Sequence, residues 1–125
     1  MEEPQTLSAA VNLQRVVLIV LALSAIAILI AIGSYYWQRM DPYIQQVFVL
    51  QGDANRGHSI FQLNCAGCHG TLAEGKVGPS LRGVAHRRSQ LSLVQQVISG
   101  KTPPMPKFQA SPSEMADLLS YLKSL

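Results

Sequence analysis

No charged residue lies between Arg15 and Arg39, and Val16 to Ile32 reads VVLIVLALSAIAILIAI. As a helix, an uncharged apolar run of about 20 residues can cross a hydrocarbon core of about 30 Å. The run ends in Tyr35, Tyr36 and Trp37, amphipathic rings suited to the headgroup level, and then in Arg39, whose charge stays in water. Residues 1–15 therefore read as an N-terminal tail and 16–37 as a transmembrane anchor. A cleaved signal peptide is the competing reading, with Arg15 as its positive flank and Ala31-Ile32-Gly33 as a small-x-small site. Against it, the apolar run exceeds the roughly 7 to 15 residues of a signal core, and the aromatic belt suits a retained span.

The remainder of the 125 residues leaves room for one small domain. Residues 38–51 form a connector in which Asp41 and Pro42, an N-cap and a first-turn proline, precede YIQQVFVL. The expected short helix lies near the membrane surface. From 52 to 125 three further helices are expected. Asp53 caps the first, which carries Gly57, Ile60, Phe61 and Asn64. Leu91, Val94, Val97 and Ile98 mark an apolar stripe on the second, with Gly100 placed to stop it. Ser111-Pro112-Ser113-Glu114 is a capping box opening the last, which runs to about Ser124 with Met115, Leu118, Leu119 and Leu122 on one face. The stretches Gly70 to Ser89 and Lys101 to Ala110 are rich in Gly and Pro, and nothing alternates with a period of two. The fold class is all-α: a transmembrane helix followed by a small helical domain. So few large side chains make a poor core, and domains of this size usually need a disulfide, a metal or a cofactor to complete it.

The two cysteines of the chain sit in Cys65-Ala66-Gly67-Cys68-His69. Cys-x-x-Cys-His is the attachment pattern of c-type haem, in which the thiols add to the two vinyl groups and the histidine is delivered to the iron. One covalently attached haem c, with its iron, would fill the middle of the domain. A zinc site would need about four ligands and would have to recruit His58 or His86. A redox dithiol expects a strand-helix setting that the sequence lacks, and a disulfide across two residues would be strained.

The iron has a second axial position, for which the domain offers Met105, Met115, His58 and His86. Met105 is the expected ligand, because Pro103, Pro104 and Pro106 stiffen its loop. Met115 belongs to the stripe of the last helix and reads as core. The expected metal ligands are thus His69 and Met105, a pair that raises the reduction potential relative to two nitrogen ligands and closes the iron to substrates. The other ring nitrogen of His69 needs a fixed partner, and Gly78-Pro79 lies at a suitable loop distance. The expected cofactor-binding set is Cys65, Cys68, His69, Met105 and Pro79, with no catalytic residue.

With these motifs in place, the domain resembles a class I monohaem cytochrome c. Gly57 and Phe61 resemble the glycine and aromatic of that family's first helix, and Leu118 and Tyr121 the leucine and aromatic of its last, where the two cross. Gly78-Pro79-Ser80-Leu81-Arg82-Gly83 resembles the family's Gly-Pro-x-Leu-x-Gly segment, whose proline carbonyl accepts from the ligand histidine, and Met105-Pro106 its ligand loop. The anchor, the connector and the run from Ile98 to Phe108 are also similar to the membrane-anchored cyanobacterial cytochromes cM. This resemblance implies a photosynthetic or respiratory membrane, with the N-terminus cytoplasmic and the haem domain in the periplasm or thylakoid lumen.

Function follows as one-electron transport, not enzyme catalysis. Beyond Gly52 there are eight basic residues (Arg56, Lys76, Arg82, Arg87, Arg88, Lys101, Lys107, Lys123) against four acidic (Asp53, Glu74, Glu114, Asp117). Such a surface suits an acidic redox protein or a membrane electron-transfer complex as partner, with lipid around residues 16–37. Nucleic acid is not expected, since no basic stripe is interleaved with aromatics, and neither is a small-molecule substrate. The alternative function is a haem-containing binding or regulatory subunit of a membrane complex.

Overall fold

The computed structural model describes residues 3–125, with side chains from Asn12 onward; Met1 and Glu2, at the start of the tail, lie outside the described residues. It is all-helical, as expected, with seven helices and no strand among the described residues. The first, α1, spans Glu3–Arg39, and its 37 residues at about 1.5 Å each make a rod about 55 Å long. From Asn12 to Arg39 it is long and apolar enough to cross a membrane. Its apolar side chains are exposed all round, Leu29 by 67% and Ile30 by 66%. Ser24 and Ser34 return their hydroxyls to carbonyls three residues back, each at 2.9 Å, so neither needs a partner outside the helix. At the C-terminal end Tyr35 meets Tyr36 edge-on at 5.8 Å, and the Arg39 guanidinium lies 5.0 Å from the Tyr35 ring centre.

Asp41–Leu125 forms a second compact unit, built on the crossing of α3 (Ala54–Asn64) and α7 (Pro112–Ser124). Glycine makes this crossing possible. A Cβ on Gly57 would lie 2.0 Å from the Asp117 carbonyl oxygen, and one on Gly52 would lie 2.0 Å from that of Ala116, so the two backbones touch where no side chain fits. Phe61, Met115 and Leu118 are almost wholly buried around the contact, and burying a side chain such as Phe61 contributes about 2–3 kcal/mol. Tyr121 lays its ring against Phe61 at 5.2 Å and His58 at 5.0 Å.

A polar clasp closes the same junction. The buried Asp117 carboxylate accepts from the Asp53 amide at 2.7 Å and from Arg56 Nε and a terminal guanidinium nitrogen at 2.8 and 3.0 Å. Asp53 in turn caps α3, its side chain accepting from the amides of Asn55 and Arg56. The hydrogen bonds from Arg56 are the main reason the Asp117 carboxyl lies below its ordinary value, with the Asp53 amide assisting.

The connector helix α2 spans Pro42–Val49, with Asp41 as N-cap, and packs against α7 through buried Ile44 and Val47. Its Tyr43 hydroxyl donates to the Ala110 carbonyl at 2.9 Å, just ahead of α7. The α7 capping box forms as expected, and Met115, Leu118, Leu119 and Leu122 are all buried.

Three further elements complete the unit: α4 (Ala66–His69), α5 (Val84–Arg87) and α6 (Gln90–Ser99). The turn α5 falls inside the stretch expected as loop; left-handed Gly83 leads into it, and the Gly83 amide donates to the Leu125 carbonyl at 3.1 Å. On α6 the buried face is Leu93, Val94 and Val97, with Gly100 ending the helix in a left-handed conformation. Leu91 and Ile98, expected on that face, are only half-buried. Leu93 lies four residues before Val97 and so shares a helix face with it.

Candidate functional site

The last turn of α3 delivers the cysteine motif. The Cys65 amide donates to the Phe61 carbonyl at 2.8 Å, and the Cys65 carbonyl accepts from the Cys68 amide at 3.1 Å and the His69 amide at 2.9 Å. This tight turn sets the two free thiols and the imidazole on one short segment, with Cys65 half-buried, Cys68 exposed and His69 buried. Burial, with the neighbouring Cys68 adding a little, pushes the Cys65 thiol up to about 11. Among the described residues no three His, Cys, Asp or Glu side chains gather to hold a metal ion, so the zinc alternative lacks its donors.

His69 Nδ1 lies 2.8 Å from the Pro79 carbonyl oxygen. A carbonyl can only accept, so Nδ1 carries a proton, and Nε2 is the ring nitrogen left for a metal once it holds its lone pair. Gly78 stands against the same ring: a Cβ there would come within 2.6 Å of Cε1 and 2.8 Å of Nδ1. Glycine is required at 78 by this close approach, a role that the sequence suggests only as part of a turn.

The loop bearing Gly78 and Pro79 is bound to the motif on its leading side and to Ala73 beyond Pro79. Val77 and Gly78 donate to the Cys68 carbonyl at 3.0 and 2.8 Å, and Gly75 donates to that of His69 at 2.7 Å. Buried Ala73 accepts at its carbonyl from the Leu81 amide at 2.9 Å and the Ser80 hydroxyl at 3.2 Å. Arg82 and Arg87, counted from sequence as surface charge, also bind backbone: Arg82 Nε donates to Leu72 O, and Arg87 to the carbonyls of Arg82 and Ser80.

Met105 stands on a separate loop, between α6 and α7. Its backbone amide donates to the Thr102 carbonyl at 3.0 Å, and Phe108 closes the loop by donating to the Val97 carbonyl at 2.9 Å. Its sulfur accepts from Gln96 Nε2 at 3.4 Å. Of the other candidates, Met115 is core, His58 stacks on Tyr121 and contacts Gln62, and His86 is exposed on α5. Gln96 carries no sequence signal as a functional residue, because a glutamine on a helix is ordinarily a solvated one.

A family model described as "Cytochrome C oxidase, cbb3-type, subunit III" matches residues 52–122. A Synechocystis protein named cytochrome c-553-like is 55% identical over 98 residues, covering 78% of this chain and 93% of that one. This chain belongs to the c-type cytochromes. The cytochrome is also 33% identical over 101 residues to a cytochrome bc1 complex cytochrome c subunit of Corynebacterium diphtheriae, covering 74% of this chain but 31% of that one. Cytochrome cL from Hyphomicrobium denitrificans shares its fold, with a TM-score of 0.52 at 24% identity over 74% of this chain and 56% of that one. The resemblance drawn from the motifs is thereby borne out, and with it the cofactor, covalently attached haem c and its iron.

The residues fit that group. Two free thiols at the required spacing precede an imidazole whose Nδ1 is committed to a carbonyl and whose Nε2 is the ring nitrogen left for a metal.

Proposed function

We propose that the cytochrome carries single electrons between redox partners of a photosynthetic or respiratory chain, and that residues 16–37 hold it at a membrane. In this reading residues 1–15 are a tail, 38–51 a connector and 52–125 the haem-bearing part. Cys65 and Cys68 would hold the porphyrin, and His69 and Met105 would ligate the iron. The observation that carries the reading is the His69 imidazole, oriented by Pro79 and pressed against Gly78.

When bound, haem supplies a ferric–ferrous couple. The Pro79 carbonyl fixes the imidazole tautomer and makes Nε2 more basic. Met105 would hold the iron with a soft thioether, which favours the reduced state and disfavours substrate binding, so we assign electron transport and no catalysis. Basic side chains of the unit attract an acidic redox protein or an acidic face of a membrane complex. The apolar length of α1 supports lipid contact. The orientation, haem-bearing part periplasmic or lumenal and N-terminus cytoplasmic, is proposed from the resemblance to membrane-anchored cytochromes, in which haem is attached outside the cytoplasm.

The optical spectrum of the holoprotein tests the ligand set. A weak band at the red end of the ferric spectrum, marking sulfur on iron, is expected in the wild type and absent in Met105→Ala; its absence from the wild type would reject Met105.

The subunit character of the matching family, cbb3-type oxidase subunit III, and of the Corynebacterium relative, a bc1 complex subunit, favours a second reading, as a subunit of a membrane complex. Purification in mild detergent separates the two: a free monomer supports the carrier, and stable co-purification of a membrane oxidoreductase supports the subunit.

A further inference from the structure

We infer that Gln96 is a positioning residue for the Met105 sulfur, holding the thioether in one orientation and raising the reduction potential by a hydrogen bond donated to it. The inference rests on the proposal that Met105 ligates the haem iron.

Gln96 stands one turn from the end of α6, where the backbone is well fixed. Its carbonyl accepts from the amide of Gly100 at 2.9 Å, the residue that ends the helix in a left-handed conformation. The methionine loop then folds back against that end: a Cβ on Gly100 would lie 2.8 Å from the Met105 carbonyl oxygen and 2.9 Å from the Lys107 amide. The side chain of Gln96 thus rises from a rigid turn directly towards the loop.

Both ends of its amide are engaged. Nε2 donates to Met105 Sδ at 3.4 Å, while Oε1 accepts from the Thr102 hydroxyl, also at 3.4 Å. The Met105 amide donates to the Thr102 carbonyl at 3.0 Å, which closes a small ring of contacts through Gln96, Thr102 and Met105. A thioether sulfur cannot donate, so the NH2 end of the amide must face it, and the hydroxyl contact holds the opposite end.

A thioether sulfur has two lone pairs. With one occupied by the Gln96 N–H, the other has a defined direction, and a flexible methionine has few rotamers left to lose. The same N–H draws electron density from sulfur. Weaker donation disfavours ferric iron more than ferrous, so the hydrogen bond raises the potential. A glutamine that merely packed the loop would alter its stability and leave the potential where it was.

The test uses the full-length holoprotein in detergent. Gln96→Leu keeps the bulk and helix propensity while removing the donor. It is expected to lower the midpoint potential, shift the sulfur-to-iron band and allow imidazole to displace the methionine at several-fold lower concentration, with helicity unchanged. Thr102→Val, at an exposed loop position, should move all three in the same direction by less, and it decides the matter if Gln96→Leu does not fold. Met105→Ala serves as the reference. If the band survives in Met105→Ala, the ligand assignment fails and this inference fails with it. If the band is lost there, but neither Gln96→Leu nor Thr102→Val moves the potential, the band or the imidazole competition, Met105 stands as ligand and Gln96 has no positioning role.

Discussion

Gly78 shows how one missing side chain can govern the site. The His69 ring occupies the place that a Cβ at 78 would take, at 2.6 Å from Cε1, and both the ring and the neighbouring Pro79 carbonyl are fixed by loop hydrogen bonds. Gly78→Ala is therefore expected to displace the imidazole, break its 2.8 Å bond to Pro79 and destabilise the fold by about 2 kcal/mol. Lower holoprotein yield and a lower melting temperature would check this. Asp117 makes a pH prediction at the same scale. Its folded carboxyl lies below the ordinary value because Arg56 donates to the charged form, so its contribution is complete above the ordinary carboxylate range and is lost as pH falls through the folded value. Asp117→Asn should lower the melting temperature at neutral pH and flatten its fall in acid; an unchanged acid slope would count against the clasp.

Elements are joined here through their ends and their smallest residues. The α3–α7 crossing depends on Gly57, where an alanine methyl would lie 2.0 Å from a carbonyl oxygen. Gly57→Ala should force the helices apart and cost about 3 kcal/mol, measurable by chemical denaturation. The connector belongs to the same assembly, since α2 buries Ile44 and Val47 and its Tyr43 hydroxyl reaches Ala110 across 67 positions of sequence. Tyr43→Phe removes that one hydrogen bond and should cost about 1 kcal/mol. The caps of α2, α3 and α7 were legible beforehand, because a cap is made by residues two or three apart. The face of α6 was legible in part: Val94 and Val97 are buried as read, and Leu93, outside the stripe, is buried with them.

The whole molecule joins an apolar rod, α1, to a basic haem-bearing unit. If α1 holds the cytochrome in lipid, the protein should stay with membranes after an alkaline wash and leave them only in detergent. Release by the wash would mean that the helix does not cross. Electron transfer to an acidic partner should slow as salt rises, since screening shortens from about 10 Å at 0.1 M to about 3 Å at 1 M. Arg82 and Arg87 hold backbone carbonyls, so substituting either should disturb the Gly78–Pro79 loop and confuse a test of steering. Lys76, Arg88 and Lys101 are the cleaner residues with which to measure steering.

Sequence by itself determined what is local: the uncharged run, the Cys-x-x-Cys-His spacing, the caps at Asp41, Asp53 and Ser111, and an all-helical domain too small to complete its own core. These depend on residues within a few positions of one another, so pattern and chemistry suffice to read them. Only the tertiary structure decided that Gly78 is pressed against His69, that Arg56 and Asp117 meet across 61 positions and that Gln96 donates to Met105. Each of these depends on where separate segments come to rest. That is set by the packing of the whole unit around the α3–α7 crossing, which no local pattern encodes.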